Sequence, residues 1–208
     1  YLIDNNEVGR GGFHTFHYAA SRKGTLRAAT RNIPGKKSDI TEALKLSQII
    51  KQSPNKETSR ISRIMNHEGN LTISQLGGEN LEKLINTQRL TPEDRLTIYQ
   101  TLLEGMTELH KLGYAHGDLK LANVVIIRDA QGVITGVKII DFQGLSKQEL
   151  QRTIGTKKMY SPERFTGALP YSTDKDDMWA FMYLVCEMES RMPQHERLVN
   201  EYILSEFL

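Results

Sequence analysis

The sequence predicts an α+β fold in two units, the first small and β-rich, the second mostly helical. Three observations predict it. Short β-branched and aromatic runs punctuated by glycine come first, the pair Gly77-Gly78 breaks that pattern, and helical periodicity follows. The units are expected at 1–76 and 77–208, with the glycine pair as a flexible hinge.

The first unit reads as strands around a glycine turn. Val8-Gly9-Arg10-Gly11-Gly12-Phe13 precedes strands over 15–20 and 25–32, joined by the turn Ser21-Arg22-Lys23-Gly24, which together make a β-meander. After Pro34-Gly35, Ser38 or Asp39 is placed to cap a helix whose apolar positions Ile40, Leu44, Ile49 and Ile50 lie roughly on one face. Apolar stretches at 61–65 and 71–76, separated by His67-Glu68-Gly69-Asn70, read as a hairpin extending the sheet.

The second unit opens as helix. Thr91-Pro92-Glu93-Asp94 offers a cap, a proline at the first helical position and acids in the first turn. Leu96, Tyr99, Leu102, Leu103, Met106 and Leu109 follow at helical spacing, and Gly113 ends the helix. Segments 124–127 and 137–140 flank the turn Ala130-Gln131-Gly132 as a second hairpin. The run 178–188 is apolar nearly all round and predicts a buried central helix.

Composition narrows the function. Lys and Arg number 27 against 25 Asp and Glu, a net charge of +2 without a basic cluster, which speaks against a nucleic-acid partner. One cysteine, Cys186, allows no internal disulfide, and no His/Cys cluster has zinc spacing, so a reducing, cytoplasmic setting is expected. No apolar run is long enough to span a membrane, and nothing indicates an oligomeric state. The chain opens on Tyr1, so a native start upstream is expected.

The strongest chemical signal is His116-Gly117-Asp118-Leu119-Lys120-Leu121-Ala122-Asn123, followed by Ile140-Asp141-Phe142. Phosphoryl transfer needs a carboxylate to orient the attacking hydroxyl, a cation for the charge developing on the γ-phosphate, and oxygen ligands for Mg²⁺. Asp118, Lys120 and the pair Asn123 with Asp141 supply these in turn. Any one of these acids alone would read as a turn or cap residue; the ordered set does not.

On these residues the chain resembles the eukaryotic-type Ser/Thr protein kinase family, as a compact, divergent member. Gly9-Arg10-Gly11-Gly12-Phe13-His14-Thr15-Phe16 is similar to its glycine-rich loop, Gly155-Thr156-Lys157-Lys158-Met159-Tyr160-Ser161-Pro162-Glu163 to the end of its activation segment, and Asp177-Met178-Trp179 to the start of its central helix. The resemblance implies a bilobal protein-kinase-like fold with a small β-rich N-lobe and a shortened, mostly helical C-lobe. It implies ATP and Mg²⁺ as cofactors, a protein substrate, and an ATP-binding set of Val8, Gly9, Gly11, Phe16, Ala29, Arg31 and Val125. Thr156 and the pair Pro162-Glu163 are expected to shape a peptide-binding platform. Compact domains of this sort resemble those that intracellular bacterial pathogens deliver into host cells, which would make the host cytosol the place of action.

Departures from the family pattern keep two alternatives open. Counting from Phe16, Arg31 occupies the strand position of the phosphate-pairing lysine, and a planar guanidinium fits the α- and β-phosphates poorly. A related kinase group places its lysine at the third glycine of the loop, which here is His14. Glu42 is the acid expected to pair with Arg31, Gln143 with Gly144 replaces the family's glycine after Asp141-Phe142, and Gly117 replaces an arginine. A pseudokinase that binds nucleotide or a partner is therefore one alternative. A small-molecule kinase is the other, against which Lys120 and the segment 155–163 favour a protein substrate.

Overall fold

The computed structural model describes residues 1–10, 14–35, 39–142, 145–147, 155–168 and 173–199; Gly11, Gly12, Phe13, Ser38, Gln143 and Gly144 lie outside the described residues. The chain divides into two compact units, Tyr1–Gly77 and Gly78–Leu208. The fold is α+β.

Among the described residues, unit one is an antiparallel sheet with one helix. Its elements are β1 (Leu2–Ile3), β2 (Gly9–Arg10), β3 (His14–Ala20), β4 (Leu26–Asn32), α1 (Thr41–Gln52), β5 (Ile64–Glu68) and β6 (Leu71–Gln75). The strands lie in the order β1-β3-β4-β6-β5, with β2 also paired to β3. Alternation along β3, β4 and β6 sends Ala19, Ala29 and Ile73 into one small core, with Ile3 and Leu71 packed against it. The β5–β6 turn is tighter than expected: His67 and Glu68 belong to the strand, and Gly69 turns the chain at a φ of 58°.

Helix α1 turns inward a face that shares Ile50 with the expected one but is rotated away from Ile49. Ala43, Leu46, Ser47 and Ile50 are buried, whereas Ile49 is 42% exposed. The buried set follows the i, i+3, i+4, i+7 rule one position away from Leu44. Ile40 sits at the N-cap without a side-chain bond, while Asp39 Oδ1 accepts the Thr41 N–H at 3.0 Å. Ser47 Oγ accepts the Ile64 N–H at 2.9 Å and so fastens the helix to β5.

Unit two holds α2 (Leu81–Thr87), α3 (Pro92–Lys111), β7 (Tyr114–Ala115), β8 (Val124–Arg128), β9 (Ile134–Ile139), β10 (Ser146–Lys147), α4 (Pro162–Phe165) and α5 (Asp174–Ser190). Hairpin β8–β9 and the short pair β7–β10 are its sheets. Thr91 and Asp94 form the expected capping box of α3. Its buried stripe is Ile98, Leu102, Met106 and Leu109, while Leu96 and Leu103 face solvent at 46% and 40% exposure. Arg95, fully buried, belongs to the inward face because Glu189 of α5 meets its Nε at 2.9 Å. Helix α5 is buried through Ala180, Phe181, Leu184, Val185 and Cys186, with Met178 at its edge.

Gly78 is glycine for a steric reason rather than for freedom alone. A Cβ there would lie 2.1 Å from the Ile126 carbonyl oxygen of β8. The neighbouring Glu79 carbonyl accepts the Ile126 N–H at 2.9 Å, and Asn80 bridges to Val125. Among the described residues, no helix is long and apolar enough to cross a membrane.

Candidate active site

The loop carrying Asp118 is held by its backbone. Asp177, buried in the first turn of α5, accepts the N–H groups of His116 at 2.7 Å and Gly117 at 2.9 Å. The His116 ring takes the Asp118 N–H on Nδ1 at 3.2 Å, so its proton sits on Nε2, which donates to the Ile140 carbonyl at 3.0 Å. That ring also packs on Phe142, centroids 5.3 Å apart. His116 and Phe142 thus fix the distance between the Asp118 loop and the Asp141 turn.

Around Asp118 the polar groups converge. Lys120 Nζ donates to Asp118 Oδ2 at 2.7 Å and to Thr156 Oγ1 at 3.0 Å. Thr156 donates both its N–H and its hydroxyl to Asp118 Oδ1, each at 2.7 Å. Asn123, buried on the 3-10 turn Leu121–Asn123, donates Nδ2 to the Asp118 carbonyl at 2.8 Å. Burial pushes the Asp118 carboxyl up, but the Lys120 and Thr156 hydrogen bonds and the Lys120 charge outweigh it and hold the group below its ordinary value. A carboxylate in this state stays ionised at neutral pH and can orient a hydroxyl.

Asp141 lies two residues past the end of the strand at Ile139 and is held at a φ of 64°, a left-handed conformation uncommon outside glycine. Its carboxylate is exposed, and the Ile140 N–H bonds the Asn123 carbonyl at 2.9 Å, which ties the two candidate metal ligands together. Among the described residues no three His, Cys, Asp or Glu side chains cluster as a metal cage. Mg²⁺ does not need one, since it takes one or two protein oxygens and completes its shell with phosphates and water. An Asp carboxylate and an Asn amide oxygen fit that demand.

The expected nucleotide set of unit one is divided by the sheet. Phe16 pairs with Thr30, His14 with Asn32, and Gly9 with Phe16, so these side chains share one face with Ala28. Ala29 pairs with His17 and Arg31 with Thr15, which puts both on the opposite face. There Ala29 is fully buried against Ala19 and Ile73. Phe16 therefore does not line a common surface with Ala29 and Arg31: a count that is one residue out exchanges the two faces of a strand. Val8 is half-exposed and donates its N–H to the Phe16 carbonyl at 2.8 Å; Gly11 lies outside the described residues. Glu42 is buried on α1, and its Oε1 takes Lys45 Nζ at 2.7 Å. Val125 is buried on β8 opposite Lys138.

Two buried charges near the loop, Arg164 and Asp176, belong to no motif in the sequence: Arg164 donates to the Gly117 carbonyl at 3.0 Å and to Asp176 at 2.6 Å. Asp177, which the similarity of Asp177-Met178-Trp179 to the start of the family's central helix did signal, holds two loop amides.

A sequence model described as "Protein kinase domain" matches residues 2–205. A probable myosin light chain kinase of Dictyostelium discoideum is 26% identical over 221 aligned positions, covering 99% of this chain and 62% of that protein. A probable serine/threonine-protein kinase of the same organism is 26% identical, covering 91% of this chain and 27% of its own length. The CBL-interacting serine/threonine-protein kinase 1 of Arabidopsis thaliana is 33% identical over half of this chain and 24% of its own. The chain thus spans less than two thirds of each of these relatives.

Proposed function

The chain belongs to the protein kinase family, and from that membership we propose that it transfers the γ-phosphoryl group of MgATP to a serine or threonine hydroxyl of a protein substrate. The observation that carries this reading is the convergence of Lys120, Thr156 and Asn123 on Asp118. Asp118, ionised, would accept a hydrogen bond from the attacking hydroxyl and take its proton late, as the oxygen loses charge to phosphorus. Lys120 would share the charge of the transferring phosphoryl oxygens. Asn123 and Asp141 would hold Mg²⁺, which supplies charge neutralisation between the phosphates. Lys120 stands two residues after the aspartate, where tyrosine-specific kinases usually carry alanine, and that resemblance supports a Ser/Thr rather than a Tyr acceptor.

A specific observation favours the second reading, a nucleotide-binding or partner-binding pseudokinase. The face that carries Phe16 and Gly9 presents Thr30 where a counted lysine would stand, and Arg31 points to the other side. His14 shares the Phe16 face of β3 and is a titratable residue there. Phosphate incorporation from MgATP into the chain and into myelin basic protein, with Asp118→Asn as control, separates the two readings. Incorporation lost with Asp118→Asn supports the enzyme; nucleotide binding without incorporation supports the pseudokinase.

A further inference from the structure

Gly117, immediately before Asp118, has no side chain with which to anchor its own loop, yet its peptide is bonded on both sides. Its N–H goes to Asp177 at 2.9 Å, and its carbonyl oxygen receives Arg164 Nη1 at 3.0 Å. That carbonyl and the Asp118 N–H belong to a single peptide plane, so whatever fixes the oxygen fixes the direction in which Asp118 leaves the backbone. Asp118 N–H is bonded in turn to His116 Nδ1 at 3.2 Å, which leaves the plane little freedom to rotate.

Arg164 is itself built in. Its side chain and that of Asp176 are each 4% exposed, and Nη1 lies 2.6 Å from Asp176 Oδ2. The guanidinium carbon stands 3.8 Å from the centre of the Tyr160 ring. Asp176 Oδ1 meanwhile accepts the Ser161 N–H at 2.8 Å, so the base of α4 and the first turn of α5 share one carboxylate. Gly155 makes the approach possible: a Cβ there would sit 2.6 Å from the Gly117 oxygen and 3.0 Å from Arg164 Nη2. A structural ion pair alone requires none of this contact with the loop.

We propose that Arg164 is a positioning residue that orients Asp118 through the Gly117 carbonyl, so that the loop is ordered by a guanidinium from α4 that needs no added phosphate. The proposal rests on Asp118 being the hydroxyl-orienting carboxylate, and its effect is on geometry rather than on nucleotide binding. A misplacement of about 1 Å at such a group costs on the order of a hundredfold in rate.

Removing Arg164 alone would strand the buried Asp176 charge, so the test uses the paired variant Arg164→Met with Asp176→Asn. Both charges disappear together, and the amide at 176 still offers an oxygen to Ser161. Amide hydrogen exchange and steady-state kinetics with MgATP and myelin basic protein are measured on parent and variant. The proposal expects the Thr156 N–H, bonded to Asp118 at 2.7 Å in the parent, to lose protection while α3 and the middle of α5 keep theirs. It also expects kcat to fall by about ten- to a hundredfold with KM for MgATP within about threefold, and Arg164→Lys to recover part of the loss. Unchanged Thr156 protection with unchanged kcat overturns it. So does an equal loss of protection across α3, α5 and the loop, which would make the pair mere scaffold. Selective loss at Thr156 in a chain whose parent transfers no phosphate upholds the positioning role and removes the kinase reading alone.

Discussion

Phe16 of β3 stands directly across from Thr30 of β4, and Arg31 is turned to the opposite face beside Thr15. A cation at position 30, not 31, would share a surface with the glycine-turn residue Gly9. Thr30→Lys is therefore expected to raise phosphoryl transfer at fixed MgATP by about tenfold or more, ~1.4 kcal/mol of transition-state stabilisation. Arg31→Lys should leave the rate within about twofold. A large gain from Arg31→Lys with none from Thr30→Lys would mean that the Ala29 face meets the phosphates after all.

The pH dependence of the rate follows from the bonds to Asp118. Lys120 and Thr156 hold its folded value below that of an ordinary carboxylate, against the opposing push of burial. Stability and activity drawn from the ionised form are complete above the unfolded carboxylate value of about 3.9 and are lost as pH falls through the lower folded value. Thr156→Val removes the hydroxyl bond and keeps the backbone bond. The acid limb of kcat should then move to higher pH, and an unmoved limb would show that the hydroxyl does not act on Asp118.

Stability of unit two should depend on a buried ion pair that no motif announced. Arg95 and Glu189 are both fully buried, with Tyr99 Oη donating to Glu189 Oε1 at 2.6 Å and the Leu198 N–H to Oε2 at 2.7 Å. Burial, helped by the bond to Glu189, pushes the Tyr99 hydroxyl well above its usual range, so it remains a donor. Glu189→Gln strands the guanidinium and is expected to cost about 3–5 kcal/mol in denaturant unfolding. A loss under about 1 kcal/mol would show that the carbonyls of Leu90 and Glu196, which also accept from Arg95, suffice.

Gly78→Ala should destabilise by about 1–3 kcal/mol, because its added carbon meets the Ile126 carbonyl and backbone cannot step aside as a side chain can. A melting temperature equal to that of the parent would contradict the close approach.

Most of the elements were legible because their signals are local. The capping box at Thr91 and Asp94, the turn at Gly132 and the alternation of β3 and β4 are each decided within a few residues. Helix α2 was missed because seven residues with two buried leucines carry too little periodicity to stand out. Apolar spacing found part of the inward faces of α1 and α3, Ile50 in one and Leu102, Met106 and Leu109 in the other, and did not show the polar residues that take core places: Ser47 reaches Ile64, and Arg95 reaches Glu189. Such places are set by a partner far along the chain, which periodicity does not see. The same limit holds at the candidate site: the nearness of Lys120 and Asn123 to Asp118 follows from their spacing, whereas the split of Phe16 from Arg31 needed the strand register, and Arg164 needed the fold.

Asp118, as proposed, orients a hydroxyl for transfer from a nucleotide held with Mg²⁺ by Asn123 and Asp141. Phosphate incorporation from MgATP into a protein acceptor, run beside nucleotide affinity, tests this in the parent, Asp118→Asn and Asp141→Ala. Asp118→Asn is expected to lose turnover on the order of a hundredfold or more with nucleotide affinity kept, while Asp141→Ala loses the Mg²⁺-dependent part of both. Turnover that survives Asp118→Asn, or nucleotide binding indifferent to Mg²⁺ and to Asp141→Ala, would contradict it.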